Sequence, residues 1–580
     1  MVKLSQYEIE REANIARNRA LLEELELKQA VVDLGIPRTE TKVSPVTKAK
    51  PVQSSRRPRP EKLEAEAPRR QSLRLRKETV DPNESPSKRK RREAELEEQR
   101  AKEAEERLEA EERARITKRP RHHDLGISTL AEEGLNELSA LSSALYSVAQ
   151  TSQPRRVGDP EAFSFDDNKK DEACLAELRA RLQQLQVVSR AKVTQDRVYS
   201  AAYHPEITKD LIFFGDKHGQ LGIWDARAPA EEVTDEDGDV TSIDGEGGKY
   251  WRLQLHWPPT SKSSISCVKF DPVDSHNVYT SSYDSTIRSL SFTSGISREI
   301  FSMEDNTLIS CIDLTPSGHE IWISDSHGRA THMDLRESKK FRRYGLSDAK
   351  IGCISVNPTR PHFVLTASNN RSLKIWDVRN LQKMTTELSE GVPPTLGSPP
   401  ASGDLDTTLD YTGREFDSTT VTAYLQAKPG KSCLRAEWRH DKSVSSAYWD
   451  PRGRGIVSTS YDDTLRLWDI DSTRLGSSSP FASSRPFSRF HHNCQTGKWL
   501  TVLRAQWSPN PDVYPHFTIG NMTHSLDIYS CKGDLVTRLT DSKRISAVQA
   551  VTCSHPGIVE RAASGNASGR CVLWAVSDVD

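Results

Sequence analysis

One unit recurs seven times from residue 197 to the end of the chain, and nothing else constrains the fold as strongly. Each copy begins with a short alternating strand closed by a turn. A second strand leads to a polar turn, and a third ends on an aromatic or apolar residue. The copies start at RVYSAAYHP (197), SISCVKFDP (264), LISCIDLTP (308), KIGCISVNP (350), SVSSAYWDP (443), TVLRAQWSP (501) and RISAVQAVT (544). Their third strands end near Trp224, Leu290, Met333, Trp376, Trp468, Tyr529 and Trp574, with spacings of 66, 43, 43, 92, 61 and 45 residues. The short spacings match the ~40–45 residues of one propeller blade, and the long ones are blades carrying insertions. A single blade cannot bury its own faces, whereas seven close into a ring with only short, protected edges. The expected fold is all-β, a seven-bladed propeller over 191–580 with loop insertions at 228–262 and 380–430.

Three segments, GDKHGQLGIWDAR (215–227), SNNRSLKIWDVR (368–379) and SYDDTLRLWDI (460–470), spell out the WD-repeat pattern. Asp216, Asp284, Asp325, Asn369, Asp462, Asn521 and Asn566 recur at the second turn. There a carboxylate or amide bonds the turn's own backbone, a structural role. The Gly-His pair common at the start of WD repeats is largely missing, so the buried hydrogen-bond network is expected to be incomplete. Cys267, Cys311 and Cys353 share one strand register and read as small core residues.

The first 190 residues differ in character. A helix is expected within 1–37, closed by Gly35 and Pro37. Residues 38–170 read as a disordered, charged tail with a charged helix near 93–116, and 171–190 as a docking helix with Leu175, Leu178, Leu182 and Leu185 on one face. Over 38–92 there are 18 basic and 7 acidic residues. The run Lys88, Arg89, Lys90, Arg91 and Arg92 fits an import receptor and a nuclear location, with a solvated tail as the alternative.

Overall, 81 basic residues balance 82 acidic ones, for a formal charge of −1. A uniformly basic nucleic-acid binder is thereby excluded, although a local patch is not. No 18-residue apolar stretch marks a membrane span. The nine cysteines include no C-x-x-C, against a zinc ribbon or a thioredoxin-like site. No catalytic motif is complete. GKS at 430–432 lacks the earlier glycine of a phosphate loop, and the His491, His492, Cys494 group sits on adjacent positions that normally point apart. The reading is a non-enzymatic protein with no cofactor and no metal.

Within a blade, residues just before the first strand share a rim with the second turn. That entry rim gathers Arg197, Lys350 and Arg544 before first strands, Lys217 in a second turn, and Lys498 and Trp499 before blade six. Basic residues beside one projecting aromatic suit phosphate contacts and base stacking, with an ordinary mixed surface as the alternative.

Longer stretches carry a closer resemblance. YEIEREANIARNRALL, RRQSLRLR, KVTQDRVYSAAYHPEITKDLIFFGDKHGQLGIWD, RYGLSDAKIGCISVNPTRPHFVLTASNNRSLKIWDVRNL and CQTGKWLTVLRAQWSPN resemble the fungal changed-mutation-rate family of DNA damage-binding WD-repeat proteins. That family is related to the small subunit of the UV-damaged-DNA-binding complex. The resemblance implies a nuclear protein binding single- and double-stranded DNA, with preference for UV-damaged duplex. It places Arg197, Lys217 and Lys350 where the related subunit has basic DNA contacts. The related subunit wedges a Phe-Gln-His hairpin into the lesion. The matching positions here are Gly497, Lys498 and Trp499, so only the indole is available to stack. On the opposite rim, Asp225 with Arg227 and Asp377 with Arg379 resemble the W-D-x-R box that docks WD proteins on a cullin-ligase adaptor, and MDLR (333–336) keeps its D-x-R part. Bracing of the blade is the other reading of these arginines. Alternative overall readings are a chromatin or histone scaffold, with the acidic 231–246 loop holding basic partners, and a ligase substrate receptor.

Overall fold

The computed structural model describes residues 123–131, 135–148, 153–165, 167–229, 247–303, 307–337, 340–384, 412–477, 481 and 485–577. The expected helices at 1–37 and 93–116, the run 88–92 and the acidic 231–246 loop lie outside these residues. Among the described residues, no helix is long and apolar enough to cross a membrane.

Seven antiparallel sheets form the ring. The innermost strands are Val198–Tyr203, Ile265–Phe270, Ile309–Leu314, Ile351–Val356, Val444–Trp449, Gln506–Trp507 and Val551–Ser554. Each packs against the next, and the last packs against the first. The third strands end as the repeat predicts, on Asp225, Ser291, Asp334, Asp377, Asp469, Ser530 and Ala575. Five tryptophans, Trp224, Trp322, Trp376, Trp468 and Trp574, are at most 2% exposed between blades. Each contributes a large apolar area to the blade-to-blade contact, the main term holding a repeat ring together.

Closure is made by the N-terminal side. Strand Gln186–Lys192 pairs antiparallel with Arg570–Ala575 and becomes the outermost strand of blade seven. Segments far apart in sequence thus share one sheet, which closes the ring. This revises the expected boundaries, because the docking helix is Asn168–Leu182 and the propeller already begins at Gln186. Asp167 caps the helix by accepting the Lys169 N–H at 3.0 Å. Leu178 and Leu182, with Leu185 beyond the helix end, bury against Leu526, Ile528, Val536, Leu539 and Ile545.

Other expectations change as well. Part of the 38–170 tail is built into the propeller. Leu125–Gly126 adds a fifth strand to blade two, and Leu141, Leu145 and Val148 pack on blades one and two. Insertion 228–262 contains the outer strand of blade one, Lys249–Gln254. Insertion 380–430 contains strand Thr412–Phe416, parallel to Lys340–Gly345, and helix Ser418–Gln426. Neither KYWRLQ nor TGREF alternates apolar with polar residues, so the strand signal is weak, and pairing to a preformed neighbour supplies the rest.

The turn residues act as expected in six blades. Asp216 Oδ1, for instance, accepts the His218 and Gln220 N–H groups at 2.8 Å each. In blade four the neighbour does it: Asn370, not Asn369, accepts the Ser372 N–H at 3.0 Å. The histidine network is kept in pieces. His256 bonds Thr280 and Asp284, and His440 bonds Ser458, while Trp468 Nε1 has no partner.

Candidate nucleic-acid interface

The segment before blade six is a loop tied down at both ends. At its start, Asp463 takes a left-handed backbone (φ 58°), and its carbonyl accepts the His492 N–H at 3.0 Å. Its carboxylate accepts the Cys494 N–H at 3.0 Å and Gln495 Nε2 at 2.5 Å. Tyr461 Oη lies 3.3 Å from Thr496 Oγ1. At its far end, Thr501 Oγ1 donates to the Val198 carbonyl at 2.5 Å. The loop therefore runs from the second turn of blade five to the first strand of blade one.

Its tip carries the two predicted residues. Lys498 is exposed, and Trp499 is 66% exposed, the most exposed of the large apolar side chains among the described residues. Arg197 Nη1 donates to the Lys498 carbonyl at 2.9 Å, so the loop tip is pinned to the start of blade one. A Cβ at Gly497 would come within 2.5 Å of Trp499 Nε1, which shows the indole folded over that glycine.

From Arg197 a chain of rings crosses the rim. Its guanidinium lies 5.0 Å from the Tyr199 centroid and donates to Tyr199 Oη at 2.9 Å. Tyr199 meets Tyr283 edge-on at 6.2 Å, and Lys350 Nζ sits 5.1 Å above the Tyr283 ring. Lys217 joins through its backbone: its carbonyl accepts Ser264 Oγ at 2.6 Å, and the Ser264 carbonyl accepts the Tyr283 N–H at 3.0 Å. The structure thus brings Arg197, Lys217, Lys350, Lys498 and Trp499 onto one rim. Among the described residues, none of the four cations has a carboxylate within 4.0 Å. Cation–π contact holds an ammonium or guanidinium in place without neutralising it.

Arg544 does not belong to this group. Its guanidinium donates to the Val187 carbonyl at 2.8 Å, and its own carbonyl is bonded by Arg190, both on the outermost strand of blade seven. The reason is local: residues 544–550 wander before the inner strand starts at Val551, so the repeat register fails there. Sequence reasoning also missed Tyr199 and Tyr283. The signal was present in the aromatic of SSYDS at a second turn, where a buried ring is not needed.

The opposite rim is built differently. Arg379 makes a two-bond fork to Asp377 at 3.0 and 2.7 Å, and Arg336 makes the same fork to Asp334 at 3.0 and 2.7 Å. The arginine beside each draws both carboxyls down; burial opposes that pull at Asp377, whereas Asp334 falls to about 2. Both arginines remain largely exposed. Arg227 instead turns inward to the buried Asp210 at 2.6 Å, which Arg561 also bonds at 3.0 Å. Asp225, buried and with its carboxyl pushed up by that burial, accepts the Arg227 backbone N–H, while the guanidinium goes to Asp210 and the Val576 carbonyl. So Arg227 braces blade one, and the matching geometry is Asp334–Arg336 with Asp377–Arg379.

His491 is exposed and His492 is buried, its Nε2 2.9 Å from the Gly520 carbonyl. Among the described residues, no hydrogen bond joins either to Cys494, and no group of His, Cys, Asp or Glu is placed to hold a metal ion.

The comparisons agree with this architecture. The model for the WD domain, G-beta repeat, matches residues 251–289, 339–377 and 431–469, each running from the outer strand of one blade to the third strand of the next. The chain is 38% identical, over 99% of both chains, to the DNA damage-binding protein CMR1 of Cryptococcus neoformans var. neoformans serotype D. It is 30% identical to the protein of that name from Mycosarcoma maydis, covering 99% of this chain and 100% of that one. The identity to the Neurospora crassa protein is 31% over 98% of both.

Proposed function

Starting from the fact that this chain belongs to the fungal family of DNA damage-binding WD-repeat proteins, we propose that it binds DNA through the entry rim, without catalysis. Arg197, Lys217, Lys350 and Lys498 contact phosphates, and Trp499 stacks on a base that damage has loosened. The observation that carries this reading is the loop tip itself: an indole 66% exposed, pinned by Arg197 beside cations that no carboxylate neutralises among the described residues. An exposed indole beside unpaired cations is the arrangement that stacks on a base while the cations meet its phosphates.

Phosphate contacts give affinity for single- and double-stranded DNA alike, and stacking on one indole gives a modest preference for UV-damaged duplex. Action in the nucleus, with entry through the basic run 88–92, follows from such a substrate. The test is a salt titration of binding to intact and irradiated duplex. The parent and Lys217→Glu/Lys350→Glu are compared. The slope of log affinity against log salt should flatten by at least about two for the double variant. An unchanged slope and affinity would remove the rim from the interface.

A second reading is favoured by the paired forks Asp334–Arg336 and Asp377–Arg379 on neighbouring blades. They present two oriented guanidiniums to a protein partner, consistent with a cullin-ligase adaptor. Histones or other chromatin proteins are the remaining partner class, and no membrane contact is proposed.

A further inference from the structure

Along the axis of the ring lies a cavity of about 690 Å³, within the range of small-molecule sites. Its floor is crossed by the strap 153–158. The strap's backbone is bonded to Pro272 in blade two at 2.7 Å and to Pro451 in blade five at 3.0 Å. Arg156 adds a bond to Asn510 in blade six at 3.3 Å. A chain cannot thread through such a floor, whereas a small molecule fits above it.

The wall has an excess of positive charge. Lys269 pairs with Asp313 at 3.3 Å, and the other Asp313 oxygen accepts the Val356 N–H at 2.8 Å, so that carboxylate is fully engaged. At the floor, Asp271 is occupied by the Val273 and Asp274 N–H groups and by Tyr279 Oη. Arg504 is left. Among the described residues it has no carboxylate within 4.0 Å, and its Nε is buried without a hydrogen-bond partner. Burial pushes the Tyr448 phenol and the Cys353 thiol beside it well up, whereas hydrogen bonding to Cys267 and Cys353 draws the Cys311 thiol down.

A second donor is also orphaned. Trp449 lines the same wall, is 5% exposed, and its indole N–H has no partner. Lys269 Nζ stands 5.9 Å from the Tyr448 ring centroid, and Tyr448 and Arg504 line the same cavity. Phe270 and Trp507 complete the aromatic lining. Arg504 as a whole is half-buried with its Nε enclosed, and a charge so placed without a partner is unfavourable unless a counter-ion offsets it.

We propose that the axial cavity binds a small aromatic phosphate of the nucleoside monophosphate class, its phosphate on Arg504 and Lys269 and its ring against Tyr448 and Phe270. The cavity meets the DNA-binding rim at Tyr199, but its phosphate contacts are not the rim cations, and it does not depend on that assignment.

The test uses the full chain, with adenosine 5′-monophosphate and inorganic phosphate as probes, followed by calorimetry and thermal melting. The nucleotide should bind and raise the melting temperature of the parent and of Lys217→Glu/Lys350→Glu equally. Arg504→Met should lose at least about tenfold in affinity, as expected for a charge-assisted hydrogen bond. Without ligand it should melt at or above the parent, because the substitution removes an uncompensated charge. Trp449→Phe, which drops only the N–H, should bind a few-fold more weakly. Inorganic phosphate should bind more weakly than the nucleotide. The proposal is overturned if the nucleotide leaves the parent unchanged at millimolar concentration, or if Arg504→Met binds as the parent does. It is equally overturned if the rim variant alone loses binding, or if Arg504→Met melts lower without ligand, which would make the guanidinium a brace.

Discussion

The two rims of the ring use the same residue types to opposite ends. On the entry rim, Arg197 and Lys350 rest on tyrosine faces and keep their charge available. On the opposite rim, Arg336 and Arg379 are already forked to aspartates one turn away. A charge held on an aromatic ring still attracts a polyanion from a distance. A charge paired to a carboxylate presents shape and hydrogen-bond direction with little net field. Counting basic residues cannot separate the two surfaces; their nearest neighbours do.

The contrast can be broken most decisively by charge reversal. Lys217→Glu/Lys350→Glu should weaken DNA binding on the order of 100-fold at 0.15 M salt, whereas Arg336→Glu/Arg379→Glu should stay within about twofold. Equal losses on both rims, read by gel shift, would show that net charge rather than neighbourhood decides. Next in size, Trp499→Ala should lose about tenfold on irradiated or single-stranded DNA, in line with ~1–3 kcal/mol for a stacked base. Its salt slope should match the parent's, and a changed slope would mean that the indole acts only by placing Lys498.

A third measurement separates the arginines of the opposite rim from one another. Arg227→Ala leaves the buried Asp210 with fewer partners and should cost about 2 kcal/mol in chemical denaturation, less than a fully broken buried pair because Arg561 remains. Arg379→Ala removes an exposed guanidinium from the buried Asp377, which keeps Arg435 at 3.6 Å, and should cost about 1 kcal/mol, while abolishing co-purification of an adaptor if that rim docks one. The smallest effect concerns pH. Burial holds His440, beside the Asp462 turn under the loop, down to about 4. A free imidazole titrates near ~6.5. The unfolded chain therefore takes up the proton first, and stability that is full above about 6.5 is lost as pH falls towards 4. His204 and His516 behave alike. The Asp334–Arg336 fork persists until about pH 2, so mild acid should release the Trp499 loop before it loosens the opposite rim. Indole fluorescence between pH 7 and 4.5 would show no early phase if this ordering is wrong.

Much of the fold was legible because a propeller repeats one pattern. The third-strand ends, the turn carboxylates and the apolar alternation are local properties, and each blade restates them. Legibility failed where pairing was supplied by a neighbour. KYWRLQ and TGREF become strands only against an existing edge, and Gln186–Lys192 is fixed by a partner nearly 400 positions away. For the candidate site, the cations and Trp499 could be picked out from their register, but Arg544 could not be excluded, since the irregular run 544–550 breaks the register that placed it. Tyr199 went unnoticed because an aromatic in a strand reads as core, and Tyr283 because the turn was read only for its carboxylate.

What the amino acids alone determined is the number of blades, their order and the rim on which each turn emerges, since these depend on periodicity and on turn chemistry a few residues long. What only the tertiary structure decided is which charges are paired, that the loop before blade six reaches blade one, and that Arg504 stands in the axis with no carboxylate beside it among the described residues. Those facts rest on distances between residues far apart in the chain, and electrostatic and hydrogen-bond energies are set by such distances rather than by composition.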